Sequence, residues 1–376
     1  MRVAMICPYS LTVPGGVQGQ VFGLSAALRQ AGHSVEIIGP ADGPPPAPGV
    51  TVVGPSVFNA SNGSMAPISP EPATQLRTIR LLREEQFDVV HLHEPLVPGP
   101  TVTALLMHTA PAVGTFHAAG DQPAYKSMSG LARRFAARLD AKVAVSNSAM
   151  ELARVAIPDP WTVLYNGVDV DQFALAEPWA DDDTESGRPI VLFVGRHEER
   201  KGLSVLLAAV ERLPEDLIVW IAGSGPETEA LQAQYSADAR LRWLGRVSNE
   251  ERNSRMAAAS VFCAPSLGGE SFGVILLEAM AAGTPVIASA IEGYVGVARG
   301  DDGQAPAALF HPAGDAVELA AQLRRVIGDP ALRESLNEAG ARRCREYSMD
   351  RLATAYEMIY EAIQPQPKQR WRGGLS

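Results

Sequence analysis

Residues 3–38, VAMICPYSLTVPGGVQGQVFGLSAALRQAGHSVEII, settle the fold class of this chain. Val3–Cys7 and Val35–Ile38 are short apolar runs of the kind that are buried on both faces of a sheet. Between them Val17, Val21, Leu24 and Leu28 recur at spacings of four, three and four, which lines one stripe of an α-helix. A strand, a helix and a second strand in that order make a right-handed crossover, and crossovers of this kind build parallel sheets. Further outward, Val89–His91 and Val113–Phe116 repeat the strand signal.

The alternation pauses at residues 169–189, DVDQFALAEPWADDDTESGRP, which are acidic, contain proline and have no period. This stretch reads as a linker, with Asp181–Asp183 as a solvated run. The pattern then restarts with strand Ile190–Val194, helix Leu203–Arg212 and strand Leu217–Ile221. The expected fold is therefore α/β: two doubly wound, Rossmann-like parallel-sheet domains, residues 1–168 and 190–348, facing across a cleft. Three helices close the chain, near Asp315–Ile327, Ala331–Glu346 and Met349–Ile363, with no strand between them. The last has no crossover to make in its own sheet and is expected to pack back on the first domain. Residues 364–376 read as a frayed tail. Residues 54–72, GPSVFNASNGSMAPISPEP, read as a long loop carrying Asn-x-Ser triplets at Asn59 and Asn62.

Composition excludes several classes. The chain has 376 residues, 46% of them hydrophobic and 20% charged, the balance of a globular protein with about two cores. A net charge of −10 argues against a sequence-independent nucleic-acid binder, and means that any phosphate site must be built locally. Cys7, Cys263 and Cys344 share no metal-type spacing and read as buried thiols in a reducing compartment. The amino terminus lacks the long apolar region of a signal peptide, so glycosylation of Asn59 and Asn62 is discounted. A cytoplasmic, soluble monomer is the expectation.

The chemistry-bearing residues follow strand ends, where open parallel sheets bind ligands. Pro14-Gly15-Gly16 opens the Val17 helix, and free N–H groups at a helix start suit an anion approached closely by glycine backbone. The spacing is not Gly-x-Gly-x-x-Gly, and no acidic residue ends Val35–Ile38, so a dinucleotide cofactor is disfavoured. After Ile190–Val194 come Gly195-Arg196 and then Arg200-Lys201-Gly202, a concentration of cations in an acidic protein that suits a departing diphosphate. The strongest segment is Cys263–Ser289, CAPSLGGESFGVILLEAMAAGTPVIAS. Its strand runs through Gly268-Gly269 to Glu270, and Ser271-Phe272-Gly273 then open a helix carrying Glu278 about two turns on. Each carboxylate can accept two hydroxyl hydrogen bonds, so one suits a hexose and the other a ribose.

Gly-Gly-Glu-Ser-Phe-Gly with Glu278, and Gly195-Arg196 with Lys201 upstream, resembles the donor site of the retaining glycosyltransferases of family four, which have the GT-B fold. PYSLTVPGGVQ near the amino terminus, HLHEP at 91–95, GTFH at 114–117 and YNGVD at 165–169 extend the resemblance to about residue 362. Within that family the chain is most similar to actinobacterial phosphatidylinositol mannosyltransferases. The resemblance implies transfer of mannose from GDP-mannose, with retention and without an obligatory metal or other cofactor. It implies that Gly15 and Gly16 meet the diphosphate, that Arg196 and Lys201 bind its phosphates, and that Glu270, with Ser271, Phe272 and Gly273, holds the sugar. Glu278 then contacts the ribose and Val247 the base. His117, at the end of a first-domain strand, is the active-site histidine, positioning the sugar or stabilising charge in a front-face attack. Lys201 sits one residue nearer to Arg196 than in those relatives.

The acceptor side departs further. Leu96 stands where these relatives have Asn, Thr12 where they have Asp, and Ala118 where they have Thr. Tyr9 and Lys126 are the acceptor-binding candidates, with phosphatidylinositol or another lipid or polyol as partner. The segment 74–85 carries Arg77, Arg80 and Arg83 beside Leu76, Ile79 and Leu82; a peripheral contact with an anionic membrane and an ordinary exposed helix face both fit. Alternatives are a UDP-hexose donor with a different acceptor, a nucleotide-sugar 2-epimerase, and a non-catalytic sugar-nucleotide-binding protein. Asp169-Val170-Asp171 lacks the frame of a metal-binding Asp-x-Asp, and His91-Leu92-His93 lacks a third ligand.

Overall fold

The computed structural model describes residues 1–61, 64–118, 129–299 and 305–365. The first sheet comprises β1 (Arg2–Ile6), β2 (Ser34–Gly39), β3 (Val50–Val52), β6 (Val89–His93), β7 (Ala112–Phe116), β8 (Ala141–Ala144) and β9 (Thr162–Val163). All neighbours run parallel, in the order β3-β2-β1-β6-β7-β8-β9. The second comprises β10 (Ile190–Val194), β11 (Ile218–Ala222), β12 (Leu241–Gly245), β13 (Val261–Ala264), β14 (Val286–Ser289) and β15 (Ala308–His311). It is also parallel, in the order β12-β11-β10-β13-β14-β15. In each sheet the winding reverses beside the first strand, between β1 and β6 and between β10 and β13. Ligands of such sheets sit outside the carboxyl ends of the strands at that reversal.

The strands are apolar because helices cover both of their faces. Val21, Leu24 and Leu28 of helix Gly16–Gln30 pack on Val3 and Met5 of β1. In the second domain, Trp220 and Phe262 meet Leu276 and Leu277 on one face, while Val219 meets Leu203, Leu207, Leu319 and Leu323 on the other. Each large side chain buried in this way contributes about 1.5–3 kcal/mol.

The last described helix, Met349–Ala362, leaves the second domain and enters the core of the first. Its Met349, Ala353, Tyr356 and Tyr360 are buried beside Leu24 and Leu28. The chain crosses between domains twice at one point: the Val168 N–H donates to the Tyr347 carbonyl at 2.8 Å, and the Met349 N–H to the Val168 carbonyl at 2.9 Å. Gln20 clasps the same crossing, its amide donating to the Gly167 carbonyl and accepting from the Gly167 N–H.

Two stretches differ from the sequence expectation. Residues 169–189 are built onto the second domain: Phe173, in helix Val170–Ala174, is buried in its core. Asp181–Asp183 is not a solvated run, because the buried Trp220 needs an acceptor and finds it in the Asp183 carboxylate at 2.9 Å. Arg242 reaches the same carboxylate at 3.1 Å, and Asp181 caps helix Asp182–Glu185. Residues 54–72 contain a β-hairpin, β4 (Val57–Ser61) and β5 (Ser64–Ile68), in place of a plain loop. Asn62 lies outside the described residues, as does most of the tail, from residue 366 on. Cys7, Cys263 and Cys344 are free and buried.

Candidate active site

After β10 the chain makes a single tight turn, Glu199–Lys201, closed by Gly202 at φ 66°. A Cβ at Gly202 would overlap the Pro265 carbonyl, so only glycine lets this turn lie against the end of β13. That approach places Lys201 Nζ 2.6 Å and Arg200 Nη1 3.0 Å from one oxygen of Glu270, Oε1. Among the described residues Oε2 of Glu270 has no such partner, so it remains available to a hydroxyl donor. Arg200 Nη2 also lies 2.7 Å from Glu198, and Arg196 Nε 3.6 Å from the other oxygen of that carboxylate. Three cations thus stand over two carboxylates at the carboxyl edge of the sheet. Such an array attracts a phosphate without help from the protein's overall charge.

The loop carrying Glu270 is fixed from behind. Gly293 packs on the Glu270 carbonyl and Gly273, at φ 96°, on the Tyr294 ring, each too closely for a Cβ. Ser271 is half-buried. The Phe272 side chain is 3% exposed. The ring stacks on Tyr165 of the first domain at 5.5 Å between centroids and meets Tyr347 edge-on at 5.3 Å. Glu278, in helix Val274–Ala281, lies 3.8 Å from Arg252. Burial raises its carboxyl pKa, opposed by Arg252. Val247 is half-buried just beyond Gly245, whose carbonyl accepts from the Gly223 N–H at 2.7 Å.

Across from this, Gly16 begins its helix with open space where a Cβ would stand, whereas a Cβ at Gly15 would overlap the Gln18 side chain. His117 directly follows β7 and is 8% exposed. Its Nε2 is 2.9 Å from His93 Nδ1. The N–H groups of His117 and Ala118 both donate to Glu94 Oε1, at 2.7 and 2.6 Å. Glu94 sits at φ 49° after β6, and burial pushes its carboxyl up to about 7 against the pull of those two donors. Burial pulls His117 down to about 3, so its imidazole is neutral at neutral pH. His91 and His93 share one face of β6, as the two-residue period of a strand requires. Their nitrogens are engaged: His91 with Tyr360 at 2.6 Å and Thr115 at 2.7 Å, His93 with His117 and Met5.

Tyr9 is half-buried near Glu94, and burial first, then that carboxylate, raise its phenol. Lys126 lies outside the described residues. Leu96 packs on the first domain's core, and the Thr12 hydroxyl accepts from the Asp42 N–H at 3.0 Å. The structure brings Arg196, Lys201 and Glu270 into one array. Among the described residues, no hydrogen bond or ion pair joins that array to Gly16, His117, Val247 or Glu278. The sequence reading gave Glu94 no role, weighed His93 only as a metal ligand, and missed its contact with His117 and the double contact of Arg200. Glu94 and His93 lie within HLHEP; strand alternation places His93 beside His91, but nothing in the sequence joins it to His117 on the next strand.

Two parallel-sheet domains with a phosphate-suited array on one edge and a histidine on the other define a GT-B glycosyltransferase. Residues 14–172 match the family model described as Glycosyltransferase Family 4, and residues 180–343 that described as Glycosyl transferases group 1. The chain belongs to this glycosyltransferase family. It is 38% identical over 370 residues to the phosphatidyl-myo-inositol mannosyltransferase of Mycolicibacterium smegmatis, covering 96% of this chain and 94% of that one. Among solved structures it is similar to sucrose-phosphate synthase from Thermosynechococcus elongatus, with a TM-score of 0.74, 22% identity and 96% and 98% of the two chains covered. It also resembles Anabaena HepE in complex with UDP-glucose, with a TM-score of 0.72, 17% identity and 96% and 100% coverage.

Proposed function

We propose that this glycosyltransferase moves mannose from GDP-mannose to phosphatidylinositol, or to a related lipid or polyol, with retention at the anomeric carbon. The observation that carries the reading is the meeting of Arg200 and Lys201 on one oxygen of Glu270. It sets a free carboxylate oxygen for sugar hydroxyls directly beside the cations that receive the diphosphate. As the bond from the anomeric carbon to the diphosphate breaks, negative charge grows on the departing oxygen, and Arg196 and Lys201 stabilise it. In this reading the side chains supply that charge, so no metal is obligatory. The acceptor hydroxyl attacks the same face, and the departing phosphate takes its proton. Neutral His117 positions the sugar, Gly15 and Gly16 approach the diphosphate through their main chain, Glu278 holds the ribose and Val247 the base. The full-length similarity to named phosphatidyl-myo-inositol mannosyltransferases supports the choice of sugar and acceptor.

The acceptor binds the first domain near Tyr9 and Lys126. Helix Pro72–Glu84 presents Leu76, 66% exposed, and Arg80, paired with Glu84, to solvent. This supports a peripheral contact with the anionic inner face of a membrane. No described helix is long and apolar enough to cross one. The test incubates purified protein with GDP-mannose or UDP-hexoses, each with and without phosphatidylinositol. A mannolipid formed from GDP-mannose alone is expected. Transfer from a UDP-hexose, or donor use that ignores phosphatidylinositol, would overturn the choice of substrates.

A further inference from the structure

Three imidazoles stack at the end of β6 and β7: His91 on His93 at 4.6 Å between centroids, and His93 on His117 at 5.1 Å. The middle one is almost fully enclosed, at 1% exposure, and both of its nitrogens face a specific atom. Nδ1 lies 2.9 Å from His117 Nε2, and Nε2 lies 3.1 Å from the Sδ of Met5 on β1. A thioether sulfur has lone pairs and no proton to give. If His93 presented a lone pair to it at that distance, two electron-rich atoms would face each other in a low-dielectric core. The arrangement is satisfied when His93 carries its proton on Nε2, directed at Met5. His93 Nδ1 is then the acceptor, so the proton between the two rings belongs to His117 Nε2. Burial holds both imidazoles neutral, which removes the doubly protonated alternative. One orientation therefore propagates from sulfur to ring to ring.

We propose that His93, oriented by Met5, is a positioning residue that fixes His117 as the Nε2–H tautomer and leaves its Nδ1 as a lone-pair acceptor at the first domain's edge. His117 Nδ1 makes no hydrogen bond among the described residues, and the residue keeps a small exposed surface. The group presented to a sugar is then an acceptor for a hydroxyl proton, and His117 in this state cannot donate from Nδ1. The chemical consequence rests on the proposed role of His117 in holding the donor sugar; the tautomer assignment does not.

The two are tested separately. Long-range nitrogen–proton NMR on protein labelled with ¹⁵N-histidine reads each ring's tautomer in the intact chain. The expected result is one Nε2–H form for both His93 and His117. His93→Leu removes the acceptor, and His117 should then show mixed tautomers with turnover down roughly tenfold or more. His93→Asn places an amide oxygen near the old Nδ1 position, and should restore both the single tautomer and most of the turnover. Met5→Leu keeps the volume but not the sulfur, and should mix the tautomers of both rings with a smaller loss of turnover. His117 protonated on Nδ1 in the unaltered protein, or a tautomer indifferent to His93→Leu, overturns the proposal. Shifted tautomers with undiminished turnover would uphold it and instead remove His117 from the donor site.

Discussion

The two edges that face each other solve opposite electrostatic problems. On the second domain, Arg196, Arg200, Lys201, Glu198 and Glu270 are all charged, and Arg196 and Arg200 keep much of their surface in water. On the first, His91, His93, His117, Glu94, Tyr356 and Tyr360 are buried, tied to one another or to main chain, and held near neutrality. The contrast separates two tasks. In the proposed function, charge that arrives with the donor is met by ions, which can be left paired with each other until it comes. In the same proposal, geometry at the reacting sugar is met by buried groups with fixed hydrogen bonds, whose orientation survives because no solvent competes for them.

The sharpest way to break this division is at the charged edge. Lys201→Ala or Glu270→Ala should lower turnover by roughly a thousandfold while leaving the circular dichroism spectrum unchanged, since the two side chains pair with each other at the edge of the sheet and belong to neither apolar core. Undiminished turnover in either variant would show that the donor lies elsewhere. His117→Ala should lower turnover by about a hundredfold with a smaller change in donor affinity, as removal of a positioning group does. A loss confined to donor binding would move His117 into the same category as Lys201.

The neutral edge makes its own prediction in acid. His91 and His117 are pulled down to about 3, and His93 well below its ordinary 6.5. Below pH 6.5 each imidazole gains a proton on unfolding, which favours the unfolded chain. Glu94 acts in the opposite sense, since unfolding between pH 4.5 and 7 releases the proton that burial keeps on it. Three protons are gained and one is lost, so about two are taken up on unfolding and stability falls from pH 6.5 towards 4.5. A urea midpoint that stays level over that interval would contradict the neutral assignment. The smallest effect concerns the contact between the halves. Phe272→Leu should cost about 1 kcal/mol of stability through the lost stacking on Tyr165, with the donor KM unchanged. A tenfold rise in KM would place the ring at the donor site.

Much of this was legible in the sequence, for identifiable reasons. The βαβ alternation is a period that a buried parallel sheet cannot avoid, so the central strands of both sheets could be read from apolar runs, whereas β3, β8, β9, β12, β14 and β15 were not singled out. Glu270 and Lys201 stood out because glycines bracket them and because cations are sparse in an acidic chain. What stayed hidden depended on distant partners. Asp183 looks like part of a solvated acidic run until Trp220, 37 residues away, is seen to need its oxygen. Phe272 looks like part of a binding motif, and only the crossing near Val168 and Ser348 shows what its ring touches. Glu94 was quoted within a motif yet given no role, because its work is on the main chain of residues 117 and 118.

The return of residues 349–362 to the first half has a practical side. A gene fragment ending at residue 168 would encode a half-molecule missing the helix that covers Val21, Leu24 and Leu28, along with the phenols that fasten His91 and Thr115. A fragment starting at 169 would keep Phe173 and Asp183 with the second domain but carry that helix as an apolar orphan. The halves are best separated by rejoining 349–362 to residue 168 through a short tether, which follows the path the chain already takes at Val168 and Ser348.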